Sequence, residues 1–227
     1  MNIKFHHDSH QISDSPPVSF LLALAGGFLD AYTYISRGGV FANAQTGNIV
    51  LVGIHAAQGQ VAKAFVYLIP ITAFAAGVFI TEIIKSYFKE CSKLHWRQII
   101  LLIECAILFL TAFFPENLNV AANILISFVC AFQVDSFRKW HGHAFATTMC
   151  TGNLRTGTEL ICTSLLKKDK VLFVRGFVYY AIILTFVAGA AAGCLMTNYF
   201  YHKALFFSII PLAACIFLMC IKELKSK

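Results

Sequence analysis

The sequence has few charged residues. Asp, Glu, Lys and Arg make up 13% of its 227 residues, whereas 58% are apolar and 22 are phenylalanines. That charged share is about half of what an ordinary soluble domain carries. Because so few polar side chains cannot cover the surface of a water-soluble globule, the composition argues against a soluble monomer. The sequence predicts a protein embedded in a lipid bilayer.

Basic stripes, paired cysteines and metal-ligand clusters are also missing. The net charge is +7, but the 18 Lys and Arg residues are spread between apolar runs, so no nucleic-acid partner is expected. The eight cysteines form no CxxC pair and nearly all lie in apolar runs, which favours buried free thiols over disulfides. His6, His7 and His10 lie in a polar tail without further ligands, so we expect no metal and no cofactor.

The first residues lack the features of a secretory signal. Residues 1–17 are polar, carry one lysine, and precede an apolar segment that has no small-residue cleavage site. We therefore expect residues 1–18 to form a polar cytoplasmic tail.

Eight apolar segments follow. They run from Phe20 to Ile35, Val40 to Ala57, Phe65 to Ile84, Ile99 to Phe114, Val120 to Val134, Ala144 to Leu166, Val171 to Met196 and Ala204 to Ile221. About 20 residues suffice for a helix to cross a bilayer, and a backbone without water partners must form one. The sequence predicts an all-α integral membrane protein with six to eight hydrophobic helices.

The second and sixth segments contain polar stretches that match each other. Thr46-Gly47-Asn48 and Thr151-Gly152-Asn153 lie 105 residues apart, and each threonine follows an aspartate, Asp30 or Asp135, by 16 residues. We refer to the two tripeptides as the TGN segments. Glycine permits a bent backbone, and Thr and Asn side chains can bind the peptide groups that a break frees. Each TGN segment is therefore predicted to be broken or re-entrant.

The flanking sequences extend the match into a repeat of four elements. AGGFLD aligns with CAFQVD, and FAAG at residues 74–77 aligns with FVAG at residues 186–189. We predict two membrane repeats, residues 19–115 and 118–222, followed by a short cytoplasmic tail at residues 223–227.

The distribution of Lys and Arg tests the topology, because cytoplasmic loops collect these residues. Eight spans leave no bias. Six spans, with both TGN elements returning to their own side, place three cations on one face (Arg37, Lys63 and Lys203) and fourteen on the other, with Arg155 inside the sixth segment left out. A seven-span arrangement scores equally, but treating matched sequences alike favours six spans. The repeats are then inverted, both termini are cytoplasmic, and the TGN segments meet near the midplane, where inverted-repeat transporters place their sites.

Polar residues near this meeting point are the candidate solute pathway. Asp30 and Asp135 either bind a cation or proton, or act as structural locks that pair with an arginine or cap the TGN element; the sequence leaves both open. The TGN segments are themselves either a solute site or a close helix crossing. The pathway candidates are Asp30, Asn43, Gln45, Thr46, Gly47, Asn48, Asp135, Thr148, Thr151, Gly152, Asn153, Arg155 and Glu159.

The repeats differ at two positions, because Arg155 and Glu159 stand where the first half has Val50 and Ile54. At i and i+4 they can pair on one helical face, either attracting an anion or serving structure alone. Gly189 and Gly193 form a GxxxG motif, typical of helix packing or of a homo-oligomer interface.

At these same residues, GGFLDAYTYISRGGVFANAQTGNIVLVG and CAFQVDSFRKWHGHAFATTMCTGNL, the chain resembles the YoaK-like family of small bacterial transmembrane proteins. The resemblance covers about residues 19–221. It implies a multi-pass protein of the bacterial cytoplasmic membrane, and it supplies no substrate or reaction.

Three functions compete. We expect a transporter or channel for a small, charged solute, surrounded by membrane lipid. The alternative is a non-transporting scaffold or accessory subunit. An intramembrane enzyme is not expected: Cys150 and His143 are nearby, but HExxH, GxSxG and a positioned base are missing.

Overall fold

The computed structural model describes residues 15–88, 95–137, 139–140, 143–144 and 148–225. These residues form eight α-helices: α1 (Pro16–Ser36), α2 (Gln45–Ala57), α3 (Val61–Phe88), α4 (Trp96–Thr111), α5 (Asn119–Ser136), α6 (Cys150–Lys167), α7 (Lys170–Phe200) and α8 (Leu205–Lys225). Single 3-10 turns precede α5 and α8. Most of the expected tail, with His6, His7 and His10, lies outside the described residues. The helices start earlier and end later than the expected repeats, at Pro16 and Lys225.

The helical prediction is confirmed in its coarse form. Four segments are helical, long and apolar enough to span a membrane, namely Pro16–Ser36, Val61–Phe88, Glu116–Ser136 and Lys170–Ile221, the last of which contains α7 and most of α8. The all-α prediction missed one feature between α5 and α6, where β1 (Lys139–Trp140) pairs antiparallel with β2 (His143–Ala144).

Helices α1 and α5 run in opposite directions. At the C-terminal end of α1, the buried Arg37 donates to Asn119 Oδ1 (3.0 Å), and its carbonyl accepts from Asn123 Nδ2 (2.7 Å) at the start of α5. Near the other end, Gln133 Nε2 of α5 donates to the Leu22 carbonyl of α1 (2.7 Å). The start of one helix therefore lies beside the end of the other.

Glycines allow two close parallel crossings. A Cβ at Gly189 of α7 would overlap the Leu24 carbonyl of α1, and one turn later a Cβ at Gly193 would lie 2.7 Å from the Phe28 carbonyl oxygen. In the same way, a Cβ at Gly77 of α3 would overlap the Phe128 carbonyl of α5. Residues 189 to 193 advance along residues 24 to 28, so α1 and α7 are parallel.

Helices α4 and α8 complete the bundle. Helix α8 packs on α1, α4 packs on α5, and α4 also packs on α8. Gln98 at the start of α4 reaches Cys220 near the end of α8, and Phe113, just past the end of α4, meets Phe206 at the start of α8. Helices α4 and α8 are therefore antiparallel. Each half contributes one helix, α1 or α5, that packs on two helices of the other half.

Helices α2 and α6, which carry the TGN segments, both start in the middle of the bundle. Asn43, just before α2, donates to the carbonyl of Gly26, which lies halfway along α1 (3.3 Å). Thr148, just before α6, lies at the same glycine. At its far end, α2 brings His55 onto the ring of Tyr67 in α3 (5.4 Å), whose hydroxyl lies near Gly39 beyond the end of α1.

From the middle of the bundle, α2 and α6 run toward opposite ends of it. Helix α2 ends beside the C-terminal end of α1, as the contact of Tyr67 with Gly39 shows. Helix α6 is followed after two residues by α7, whose start lies at the N-terminal end of α1 because α7 and α1 are parallel.

The predicted second and sixth segments begin too early. The expected elements started at Val40 and Ala144, whereas the helices start at Gln45 and Cys150. Each TGN segment consequently lies in the first turn of its helix, and the irregular backbone precedes it. For α2 the reason lies in the side chains of Asp30 and Asn48, which bind the backbone of residues 41 to 44 and hold it out of the helix.

Candidate functional site

A cavity of about 360 Å³ lies where the starts of α2 and α6 meet. Helices α3, α5 and α7 supply its walls. Its lining residues are Asn43, Ala44, Gln45, Thr46, Phe74, Val134, Thr148, Met149, Cys150, Thr151, Gly152 and Phe186.

The lining consists largely of matched positions from the two halves. Asn43, Gln45 and Thr46 line one side, and the residues 105 positions later, Thr148, Cys150 and Thr151, line the other. Phe74 and Phe186 open the matched FAAG and FVAG segments and also pair across the cavity. The cavity therefore lies where equivalent parts of the two halves approach each other.

Asp30 fixes the backbone that leads into α2. Its Oδ1 accepts hydrogen bonds from the backbone N–H groups of Asn43 (2.6 Å) and Ala44 (3.4 Å), and the residue is 5% exposed. A carboxylate that binds peptide N–H groups at a helix start satisfies donors that have no helical partner. In this structure Asp30 thus has the geometry of the structural lock, one of the two roles that its sequence position left open.

Asn48 holds the same lead-in segment from the helix side. Its Oδ1 accepts from the Phe41 N–H (3.0 Å), while its Nδ2 donates to the Phe41 carbonyl (2.7 Å) and to Gln45 Oε1 (2.8 Å). The side chain is fully buried. The asparagine of the first TGN segment therefore satisfies the peptide group of Phe41, which no helix satisfies.

The second half places its equivalents at comparable depth. Asp135 near the end of α5 and Asn153 in the first turn of α6 are 4% and 2% exposed. The glycines differ, because a Cβ at Gly47 would lie 2.9 Å from the Phe41 ring, whereas nothing lies within 4 Å of one at Gly152.

Both helices that start at the cavity lack a capping side chain. Their N-cap residues are Ala44 and Met149, and neither makes a side-chain cap hydrogen bond. The first N–H groups of a helix carry partial positive charge and point out of its end. In α2 the N–H groups of Gln45 and Gly47 already donate to the carbonyls of Asn43 and Ala44. The hydroxyls of Thr46 and Thr151 and the partial positive charge of the two helix starts are therefore what the site offers to a small solute.

The charged pair of the second half lies elsewhere. Arg155 Nε binds Glu159 Oε1 at 2.9 Å, as the spacing predicts, but the two side chains are 80% and 60% exposed and do not line the cavity. Asp30, Gly47, Asn48, Asp135 and Asn153 also lie behind the lining rather than in it.

Catalytic and metal chemistry gains no support from the described residues. They contain no group of three or more His, Cys, Asp or Glu that could hold a metal ion. Cys150 lines the cavity. The side chain of His143, the residue weighed as its partner, lies outside the described part.

The pathway candidates named from the sequence include half of the residues that line the cavity. Phe74 and Phe186 had a usable signal, since they open the matched FAAG and FVAG segments. Ala44 and Met149 had none beyond their neighbours. Val134 comes from α5, and only the packing of the helices brings it to the site.

These features define a multi-pass α-helical membrane protein with a cavity between α2 and α6 that is lined by polar and apolar residues. The sequence profile of the family described as "Protein of unknown function (DUF1275)" matches residues 18–219, and the chain belongs to that family. It is also 29% identical over 199 residues to the UPF0700 transmembrane protein YoaK of Bacillus subtilis (strain 168), a match that covers 84% of this chain and 87% of that protein. No solved structure matches the chain.

Proposed function

We propose that the protein is a transporter or channel for a small charged solute, which binds in the cavity between α2 and α6. The observation that carries the proposal is the cavity itself. Polar side chains of both halves and the starts of two helices converge there, in the middle of the helix bundle. Such groups are costly inside a membrane and typically face a ligand or water.

An inverted repeat is part of the proposal. Its support is that α1 packs on α7 and α8, while its counterpart α5 packs on α3 and α4. The antiparallel course of α1 and α5 and the opposite exits of α2 and α6 agree with it. Under this arrangement α2 and α6 are re-entrant. Solute reaches the cavity along α2 from one side of the membrane and along α6 from the other.

The positions of the cations support a cytoplasmic location for both termini. Arg37, Lys63 and Lys203 belong to the end of the bundle where α1 finishes. Lys85 lies over the Trp96 ring at the opposite end, where the lysine-rich connection between α6 and α7 also lies. Positive residues collect on the cytoplasmic side. The Bacillus relative is consistent with a bacterial cell membrane.

The direct test is flux through purified protein in liposomes. The probes are sodium, potassium, chloride, nitrate, sulfate and glycine, which cover both charges and a zwitterion. We expect at least one to cross with the protein and not without it. Folded protein that passes none of these probes would contradict the proposal.

A matched pair of variants ties flux to the cavity. Thr46→Val combined with Thr151→Val removes two lining hydroxyls at nearly constant shape, and we expect flux to fall by about tenfold, since each hydrogen bond contributes roughly 0.5–1.5 kcal/mol. Thr72→Val is the control, because Thr72 is an exposed residue of α3 away from the cavity. Equal flux in all three proteins would place the pathway elsewhere.

Thiol labelling tests the re-entrant geometry independently of any solute. In a chain whose eight native cysteines are replaced, Ala57→Cys at the end of α2 should react with a membrane-impermeant maleimide from the outside only. Lys167→Cys at the end of α6 should react from the cytoplasm only. Labelling of both from one side would exclude the inverted arrangement.

A further inference from the structure

Glu104 is a buried carboxyl group that the cavity does not use. It lies eight residues after the start and seven before the end of α4, so it is about 12 Å from the start of that helix. The residue is 0% exposed, and neither carboxyl oxygen has a hydrogen-bond partner among the described residues. On the same face of α4, Leu101 and Leu108 are equally buried.

The groups around Glu104 are largely uncharged. The buried cation on the same face of α4 is Arg97, two turns earlier, and its Nε donates to the Ser136 carbonyl (2.7 Å). Cys105 on its own helix, Cys130 on α5 and Cys215 on α8 are the titratable groups within electrostatic range. From α3, the nearest cation to α4 is Lys85, which binds Glu82 and lies over Trp96 at the end of the helix. An ionised carboxylate without a partner costs several kcal/mol in apolar surroundings, so the group holds a proton.

Helix α5 lies between Glu104 and the cavity, because it packs on α4 and also supplies the lining residue Val134. The Cys130 thiol of α5 is within electrostatic range of both Glu104 and Asp30. Asp30 binds the N–H groups of Asn43 and Ala44, which line the cavity, and acts on the lining residue Cys150. A change of charge at either acid is therefore felt at the site where the solute is proposed to bind.

We propose that Glu104 is a proton-binding site and that the solute crosses together with proton binding or release at this carboxyl group. The inference rests on the proposed transport function. The step is the dissociation of the Glu104 carboxylic acid into a carboxylate and a proton, which passes to water in the cavity. Because burial disfavours the carboxylate, its formation depends on a change in the electrostatic surroundings of Glu104, which a charged solute in the cavity supplies through α5.

The proton site is tested on purified protein without any solute. The infrared spectrum at neutral pH should contain the carbonyl stretch of a protonated carboxylic acid, and Glu104→Gln should remove that band. Glu82→Gln is the matched control, because Glu82 is a half-exposed carboxylate paired with Lys85, and it should retain the band. Retention of the band in Glu104→Gln, or its absence from the unmodified protein, would overturn the assignment.

The pH dependence of unfolding gives a second readout. A carboxyl that stays protonated in the folded state, while the unfolded chain ionises above its ordinary pKa of about 4.3, makes the protein less stable as pH rises. Between about pH 5 and pH 7 this loss should therefore be smaller in Glu104→Gln than in the unmodified protein and in Glu82→Gln. Equal slopes in all three proteins would contradict a buried proton at Glu104.

Coupling is tested by a pH-sensitive dye trapped in the liposomes. When the gradients of the probe salts are applied, at least one should drive proton movement in the unmodified protein and in Glu82→Gln, and none should do so in Glu104→Gln. Solute flux without proton movement would overturn the coupling and leave the transport function standing. An infrared band lost in Glu104→Gln, with no flux of any probe, would uphold the proton site and refute both transport and coupling.

Discussion

Helices α2 and α6 both start at the cavity, but they differ in the side chains that they expose. Helix α2 has 13 residues and exposes Val50 and Ile54, the positions that correspond to Arg155 and Glu159 of α6. Helix α6 has 18 residues, and its Arg155–Glu159 pair is largely exposed. A largely exposed charge pair is expensive against hydrocarbon, whereas exposed Val and Ile are not. The α2 surface suits lipid, and the α6 surface suits water or headgroups.

The connections that lead from α1 to α2 and from α5 to α6 differ as well. Helix α1 continues to Ser36 and is followed by the buried Arg37, which holds the connection between α4 and α5 through the Phe114 carbonyl (2.9 Å). Helix α5 ends five positions earlier in the repeat, at Ser136, and a short β-pair follows. The two halves thus match at several residues that build the cavity, whereas their flanking connections differ.

The largest effect is expected where both halves depend on a close helix crossing. Gly189→Ala and Gly77→Ala each place a Cβ on a carbonyl of the neighbouring helix, and each should destabilise the protein by about 3 kcal/mol, as strong overpacking does. Thermal unfolding in detergent measures the loss. Gly53→Ala on α2 is the control, because nothing lies within 4 Å of its Cβ. A tolerated Gly77→Ala beside a damaging Gly189→Ala would show that the halves do not pack alike.

Removing the asparagine of each TGN segment should have the next largest effect. Asn48→Ala loses three side-chain hydrogen bonds and leaves the Phe41 peptide group without partners, a cost of about 2–3 kcal/mol. Asn153→Ala removes an equally buried side chain, and a comparable loss is expected from the repeat. Denaturant unfolding would measure both, with Gln58→Ala at the exposed end of α2 as control. A much smaller loss for Asn153→Ala would limit the lock to the first half.

Substitution of the two TGN glycines should affect stability differently in the two halves. Gly47→Ala pushes against the Phe41 ring and should destabilise the protein by about 1 kcal/mol. Gly152→Ala meets no neighbour and should be neutral or stabilising by up to about 1 kcal/mol, because Ala favours the helix. Unfolding of the two variants, measured side by side, checks the difference. Similar changes in the same direction would mean that the two segments are packed alike.

The smallest effect on stability is expected for the charged pair. A double-mutant cycle with Arg155→Gln and Glu159→Gln should give a coupling below about 0.5 kcal/mol, as exposed i,i+4 pairs do. Flux of the probe ions should be measured on the same variants, since the pair lies on a helix that leads toward the cavity. A coupling above about 2 kcal/mol would indicate that a partner or a closed conformation buries the pair.

Much of the fold could be predicted from the sequence because the membrane imposes local rules. Uninterrupted apolar runs had to be helices, and the matched Asp and TGN spacing pointed to the residues around the cavity. The start of α2 could not be placed, since it depends on Asp30 and Asn48 binding a particular stretch of backbone. Arg155 does not line the cavity, and helical spacing alone could not say which face of α6 turns toward it.

The sequence by itself determined that this chain is a multi-pass helical membrane protein with two TGN segments at matched spacing from an aspartate, because composition and spacing act along the chain. Only the tertiary structure decided that α1 packs on α7 and α3 on α5, that equivalent residues meet around one cavity, and that Glu104 is sealed between α4, α5 and α8 without a hydrogen-bond partner in the described chain. These outcomes depend on close approaches between residues that are distant in sequence, and local patterns do not specify such approaches.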